Sequence, residues 1–232
     1  MTSERYETLK RKLSLRQPDL TVLLEGVTKP HNLAAIMRSC DAVAALEINA
    51  VAEKSALRRR PKAVAGSRRW VKTRIHQDVQ SAFIELRNAG YGLVVAHPGT
   101  RSVPYTEYDF THPTAIVFGT ELHGLSEYAT THADASIYIP MLGMCESLNV
   151  SVSAALILYE AKRQRFAAGM YDECRLKPDV YKKTLFEWAW PQIAHYCREK
   201  RIPYPDFDID SGDVLDVIPG TVTSPWPVEK HL

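Results

Sequence analysis

IPMLGMCESLNVSVSAALILYEAKRQR, residues 139–165, is the stretch from which the fold is read. It leaves an apolar strand end (Ile137, Tyr138, Ile139), breaks at Pro140, and crosses a loop holding Gly143 and the polar run Glu146, Ser147 and Asn149. A long helix follows. Its first turns, Val150 to Leu158, are apolar or small. Charge enters only at Glu160, with Lys162, Arg163 and Arg165 near the end, where cations suit the helix dipole. A helix apolar on every side is expected to be buried. Ser147 and Asn149 thus stand where a strand ends and helix N–H groups begin. That position suits N-caps or a polar site, and the stretch alone leaves both open.

Upstream the same alternation repeats. Leu20–Val27 is short and apolar enough for a buried strand. Asn32 is expected to cap a helix from about Leu33 to Val43, and Leu46–Val51 is a second strand. Residues 54–69 read as a loop with a short helical piece, and Trp70–Ile75 as a strand. Asp78 caps a helix that Gly90 ends, leading into the strand Tyr91–Ala96. After a turn-rich connection come the strand Thr114–Phe118, a short helix capped by Ser126, and the last strand, Ala135–Ile139. Strands alternating with helices predict an α/β domain with a mostly parallel sheet and helices on both faces. Residues 1–17 read as a basic amphipathic helix with Tyr6, Leu9 and Leu13 as its stripe. Val180–Lys200 is a helical pattern interrupted at Pro191, and the acidic, proline-rich tail after Pro203 is expected to be extended or mobile. The chain divides accordingly into an N-terminal extension (1–17), a main domain (18–168) and a C-terminal extension (169–232).

At 232 residues the chain is long enough for one sizeable core. No run approaches the roughly 20 apolar residues of a membrane span, and MTSERYETLKRKL has no apolar region after its charges, so no membrane partner is expected. Cys40, Cys145, Cys174 and Cys197 form no CxxC or Cys/His cluster. Neither a metal nor a disulfide framework is suggested, and a cytoplasmic location fits. Net charge is only +2, but it is unevenly spread. Lys54, Arg58, Arg59, Arg60, Lys62, Arg68, Arg69, Lys72 and Arg74 follow one another with no acidic residue between, and Arg5, Lys10, Arg11, Lys12 and Arg16 form a second basic cluster. Cations this dense point to a polyanion such as RNA.

Common nucleotide signatures are missing. There is no GxGxxG, and Gly119–Gly124 has Leu125-Ser126 where a P-loop requires Lys-Ser/Thr. Three polar constellations remain at carboxyl ends of strands, where open α/β sheets bind ligands: Asn32 with Arg38, Gly119-Thr120-Glu121, and Ser147-Leu148-Asn149. Arg38 lies on an otherwise apolar helix, where a buried guanidinium needs a partner. Glu121 is a candidate, in a structural ion pair or in a site.

PHNLAAIMRSCDAV, VFGTELHGLS and the opening stretch resemble, in order, the three motifs of the SpoU branch of the SPOUT superfamily, the RNA ribose 2′-O-methyltransferases. SLRQPDL, AGSRRWV and LFEWAWPQIAHYCREKRIPYP extend the likeness over about residues 1–205, and are similar to the branch that acts on guanosine 18 of tRNA. The resemblance implies a SPOUT-type sheet with a deep trefoil knot at about 91–165, an exception to unknotted connections. It also implies S-adenosylmethionine held by loop backbone at Ala96, Gly119, Ile139 and Leu148, and a homodimer whose site is completed across the interface. Arg38 matches the family's catalytic arginine, and Asn32, Glu121, Ser147 and Asn149 its polar partners. Arg11, Arg16, Arg58, Arg59, Arg60 and Arg68 are expected to hold tRNA. No metal is needed. The alternatives are 2′-O-methylation of ribosomal RNA or of a tRNA anticodon loop, and an RNA-binding protein without catalysis. The terminal helices argue against the first two, and the intact polar set against the third.

Neutralising Arg58, Arg59 and Arg60 together is expected to weaken tRNA binding and flatten its salt dependence, by about one unit of log–log slope for each phosphate no longer neutralised. Filter binding across a salt series measures it, and an unchanged slope would mark the run as a solvated face.

Overall fold

The computed structural model describes residues 1–51, 69–120 and 124–215. The expectations for 54–68, including Arg58, Arg59, Arg60 and Arg68, and for Glu121 lie outside the described residues. The chain divides into two units, residues 16–175 and a second unit made of residues 1–15 with 176–232. The two terminal extensions expected separately therefore belong to one unit.

The larger unit is built on a seven-stranded sheet: β1 (Leu20–Glu25), β2 (Glu47–Val51), β3 (Lys72–His76), β4 (Gly92–Ala96), β5 (Val103–Pro104), β6 (Thr114–Phe118) and β7 (Ala135–Tyr138). Its order is β3-β2-β1-β6-β4-β7-β5, and every pairing is parallel. Alternation along the central strands sends side chains to opposite faces. Val22, Leu24, Ile116 and Phe118 join one core, and Leu23, Ala115 and Val117 join the other. The first core is closed by α2 (Pro30–Ala42) and α5 (Val150–Ala167), which pack together. The second is closed by α3 (Val79–Asn88) and α4 (Glu127–His132).

Local chemistry explains most boundaries. Asp78 and Ser81 form a reciprocal capping box at the start of α3. Gly90 takes a φ of +88° just past its end, and Ser126 caps α4 through the Ala129 N–H. The expectation for α2 needs correction. Pro30, preset for a helix start, begins it two residues before Asn32, which sits buried in the first turn rather than capping it. The expected burial of α5 on every side is also corrected. Ala154, Ile157, Leu158 and Ala161 enter the core, whereas Val152, Leu156, Tyr159 and Phe166 are exposed.

At the amino edge of the sheet the fold is tied by a guanidinium with no solvent exposure. Arg165, at the end of α5, donates to the Asp19 carboxylate at 2.6 Å, to the Gln17 side chain, and to the Phe110, His112 and Asp19 carbonyls. Arg175 adds two further bonds to the Asp19 carboxylate, each of 2.8 Å. Arg16 is buried too, bonded to Asp41 at 2.5 Å and to the Ala45 carbonyl. Its expected role in holding tRNA does not stand, because a guanidinium engaged by buried partners is not available to a phosphate. On the second face of the sheet, Thr21, Asn49 and His76 form a buried hydrogen-bonded row across β1, β2 and β3 that fixes their register.

The smaller unit comprises α1 (Ser3–Ser14), α6 (Pro178–Ala189), α7 (Pro191–Lys200) and the segment that follows. Tyr6, Leu9 and Leu13 are buried. The acidic segment 206–215 is not extended as expected. Phe207 is buried and pairs with Val214, while the Tyr6 hydroxyl and the Trp190 indole donate to the Ile209 and Gly212 carbonyls.

Burial alone would raise the Asp19 pKa, but hydrogen bonds from Arg175 and Arg165 outweigh it and hold the carboxyl below its ordinary 3.8. A depressed carboxylate contributes stability that is present above the unfolded value and lost as pH falls through the folded one. Asp19→Asn is expected to cost about 3–5 kcal/mol, since it strands a buried guanidinium. It should also flatten the fall in stability below about pH 4. Urea unfolding across pH gives both readings.

Candidate active site

Three strands end at one hollow. Ala96 closes β4, Phe118 closes β6 with Gly119 after it, and Ile137 and Tyr138 end β7 with Ile139 after them. The loop 141–148 and the first two turns of α5 complete a cavity of about 390 Å³, within the roughly 300–1,000 Å³ usual for small-molecule sites. The carboxyl ends of parallel strands are where this architecture leaves open backbone and space. Ala96, Gly119, Ile139 and Leu148 all line the cavity, and so does Ser147. Much of its wall is apolar, formed by Phe118, Ile137, Ile139, Leu148 and Ile157.

Gly119 is required by its surroundings. Thr120 and Gly124 exchange backbone hydrogen bonds of 3.0 and 2.9 Å, folding the loop back on itself. A Cβ on Gly119 would stand 2.2 Å from the Gly124 carbonyl oxygen. The glycine therefore lets the end of β6 close against its own loop while leaving backbone exposed to the cavity.

Asn149 is the N-cap that the sequence allowed, and it also reaches a second partner. Its Oδ1 accepts from the Ser151 N–H as the N-cap of α5, and its Nδ2 donates to Asn32 Oδ1 at 3.1 Å. Asn32, from α2, is 2 % exposed. This pair ties the two helices of the first core together at the mouth of the cavity loop, a link between residues 117 apart in sequence.

Arg38 departs from the expectation. It is exposed, so no cost of burial demands a partner, and among the described residues it makes no hydrogen bond or ion pair. Its place on α2 is six residues beyond Asn32, roughly 120° around the helix, so the two side chains leave from different faces. The structure thus joins Asn32 to Asn149 and sets Ser147 on the cavity wall, and leaves Arg38 on the surface. Arg11 is exposed on α1. Among the described residues no group of histidine, cysteine and carboxylate side chains is arranged to hold a metal.

Several lining residues fall outside the set expected to hold the cofactor. His97 and Pro98 extend the β4 end, with the His97 N–H bonded to the Ile137 carbonyl at 2.9 Å. Thr120 and Ser153 also line the cavity. The signal for Ser153 was available: Val150, Ser153 and Ile157 recur at three- and four-residue spacing, one face of α5.

Residues 19–159 match the SpoU rRNA Methylase family, and residues 163–216 match the C-terminal region described as SpoU, rRNA methylase, C-terminal. The chain is 48 % identical over 187 residues to the tRNA (guanosine(18)-2′-O)-methyltransferase of Thermus thermophilus, covering 81 % of this chain and 96 % of that one. It is similar to the crystal structure of the A. aeolicus TrmH/SpoU tRNA modifying enzyme, with a TM-score of 0.75 and 36 % identity, over 82 % of this chain and 97 % of that one. The SpoU methyltransferase AviRb from Streptomyces viridochromogenes, solved in complex with the cofactor AdoMet, matches with a TM-score of 0.57 at 31 % identity, over 65 % and 62 % of the two chains.

Gly119→Ala is expected to force Thr120 and Gly124 apart and to lower the unfolding free energy by about 1–3 kcal/mol, the range for overpacking at a constrained position. Thermal unfolding measures it. A variant as stable as the parent would show that the loop yields freely.

Proposed function

Because the chain belongs to the SpoU rRNA methylase family, we propose that it transfers the methyl group of S-adenosylmethionine to the ribose 2′-oxygen of guanosine 18 in the D-loop of tRNA. Its parallel sheet with helices on both faces is an α/β SPOUT fold. The observation that carries the proposal is the convergence of two separate motif segments, after β6 and after β7, with the end of β4 on one cavity at the carboxyl edge of the sheet. The choice of tRNA guanosine 18 rests on the T. thermophilus relative, matched over nearly its whole length.

The cavity fits the methyl donor. Its apolar wall suits an adenine ring, and backbone at Ala96, Gly119, Ile139 and Leu148 offers amide and carbonyl partners of the kind buried backbone requires. When bound, S-adenosylmethionine supplies a methyl carbon already activated on a sulfonium, so the protein's task is chiefly positioning. Ser147 on the cavity wall and the Asn32–Asn149 pair hold the approach to the ribose, and Glu121 completes the polar set. Arg38 stabilises negative charge developing on the 2′-oxygen and orients the nucleotide. A guanidinium keeps its protons too firmly to be an ordinary base, so the hydroxyl proton leaves to a phosphate oxygen or to water.

We also propose a knotted path through about residues 91–165. What supports it is the return of α5 to the connection between β5 and β6, where Gln164 and Arg165 bond the Tyr108, Phe110 and His112 carbonyls. The working form is a homodimer. Supporting this are the apolar stripe Val152, Leu156, Tyr159 and Phe166 on α5, and the full exposure of Leu142 and Met144 beside the site. An apolar patch of this kind marks an interaction surface, and an exposed Arg38 can serve a neighbouring copy's cavity. Sedimentation tests the assembly, and a fully active monomer would refute it. Arg11, Arg58, Arg59, Arg60 and Arg68 are assigned to the tRNA backbone, and the substrate places the protein in the cytoplasm. No helix among the described residues is long and apolar enough to cross a membrane.

Mapping 2′-O-methyl groups on tRNA incubated with the protein and S-adenosylmethionine tests the reaction, with guanosine 18 the expected site. Arg38→Ala is expected to lower turnover at least a hundredfold while cofactor affinity stays within about twofold, the pattern of an interaction made only in the transition state. Near-parental turnover would remove Arg38 from the reaction.

A further inference from the structure

Among the described residues lining the cavity, Glu146 is the only carboxylate, and neither lysine nor arginine lines it. It stands on the loop 141–148, directly before Ser147 and Leu148, and is exposed. The described residues engage it in no hydrogen bond or ion pair, unlike Glu160, which Arg163 and Gln164 hold on the same helix–loop segment. An uncommitted carboxylate among described lining residues that are otherwise uncharged and partly apolar makes the local potential more negative.

That sign has a chemical consequence, which rests on the reading of the cavity as a methyl-donor site. When the methyl carbon passes to the ribose oxygen, the S–C electron pair stays on sulfur, the sulfonium charge vanishes, and the hydroxyl proton leaves. The donor thus carries one more positive charge than S-adenosylhomocysteine, the product left behind, while their shapes differ by a single methyl. A cavity wall of backbone and aliphatic groups distinguishes such a pair poorly, because one methyl is a small change in packing. We propose that Glu146 is the residue by which this site prefers the charged donor to its neutral product, so that used cofactor leaves and fresh donor enters. Across a solvent-open cavity one such charge pair gives a preference of roughly three- to tenfold. Salt must erode it, since the Debye length at physiological ionic strength is about 8 Å.

Titration calorimetry of the full-length protein and of Glu146→Gln, with S-adenosylmethionine and S-adenosylhomocysteine in separate runs, tests this. The variant is expected to bind S-adenosylmethionine roughly three- to tenfold more weakly, with S-adenosylhomocysteine affinity within about twofold of the parent. Glu146→Asp, which keeps the charge, should keep most of the preference. In about 0.5 M salt the parent's preference should shrink towards that of Glu146→Gln. An equal loss for both ligands would assign Glu146 a merely structural part in the loop and overturn the proposal, as would an unchanged ratio. A parent protein that binds neither ligand would overturn the methyl-donor reading of the cavity itself.

Discussion

Arg165 has no exposed surface, and its guanidinium bonds to Asp19, to Gln17 and to the Phe110 and His112 carbonyls. One side chain thereby joins the run into β1, the run into β6 and the end of α5. A charge so placed is stable only if every donor is used, and the partners named account for its fork. The arrangement fixes one end of α5 against the amino edge of the sheet. Because a helix is stiff and rises about 1.5 Å per residue, fixing that end also fixes where Asn149 and the cavity loop emerge about 25 Å away. The site at the carboxyl edge of the sheet therefore depends on an ion pair at the opposite edge.

At that far end polar groups again serve two purposes at once. Asn149 caps α5 with its oxygen and reaches Asn32 with its nitrogen, so one residue both starts the helix and locks it to α2. Gly119 lets the loop after β6 fold to within van der Waals limits of itself. The cavity is thus walled by segments whose positions are over-determined, which is what a site working by positioning needs.

Much of this was legible in the chain. Six of the seven strands and the caps at Asp78 and Ser126 follow from apolar runs bounded by turn and capping residues. The exception is β5, Val103–Pro104, which at two residues is too short to show any periodicity. Two of the three segments that meet at the cavity, those after β6 and β7, stood out as polar groups at strand ends, whereas the end of β4 carried no such group. Three residues misled for a common reason. Arg16 reads as one more cation of a basic helix, yet it is buried on Asp41. Asn32 reads as a cap, yet its acceptor serves α5. Arg38 reads as a buried charge, yet it faces solvent. In each case burial or exposure decides the matter, and it is set outside the local pattern.

By itself the sequence determined the kind of structure and its chemistry: parallel strands alternating with helices, no metal-binding pattern, a dense basic run, and motifs that place polar groups at strand ends. Those features are short-range, set by periodicity, capping and composition, and they survive without knowledge of the fold. Only the tertiary structure decided which charges are paired inside. Arg165 reads in sequence as a cation suited to a helix dipole, and it is the buried hub because Asp19, 146 residues away, is brought beneath it by the order of the strands. Burial, pairing and convergence on a cavity are properties of that order, and no local pattern encodes them.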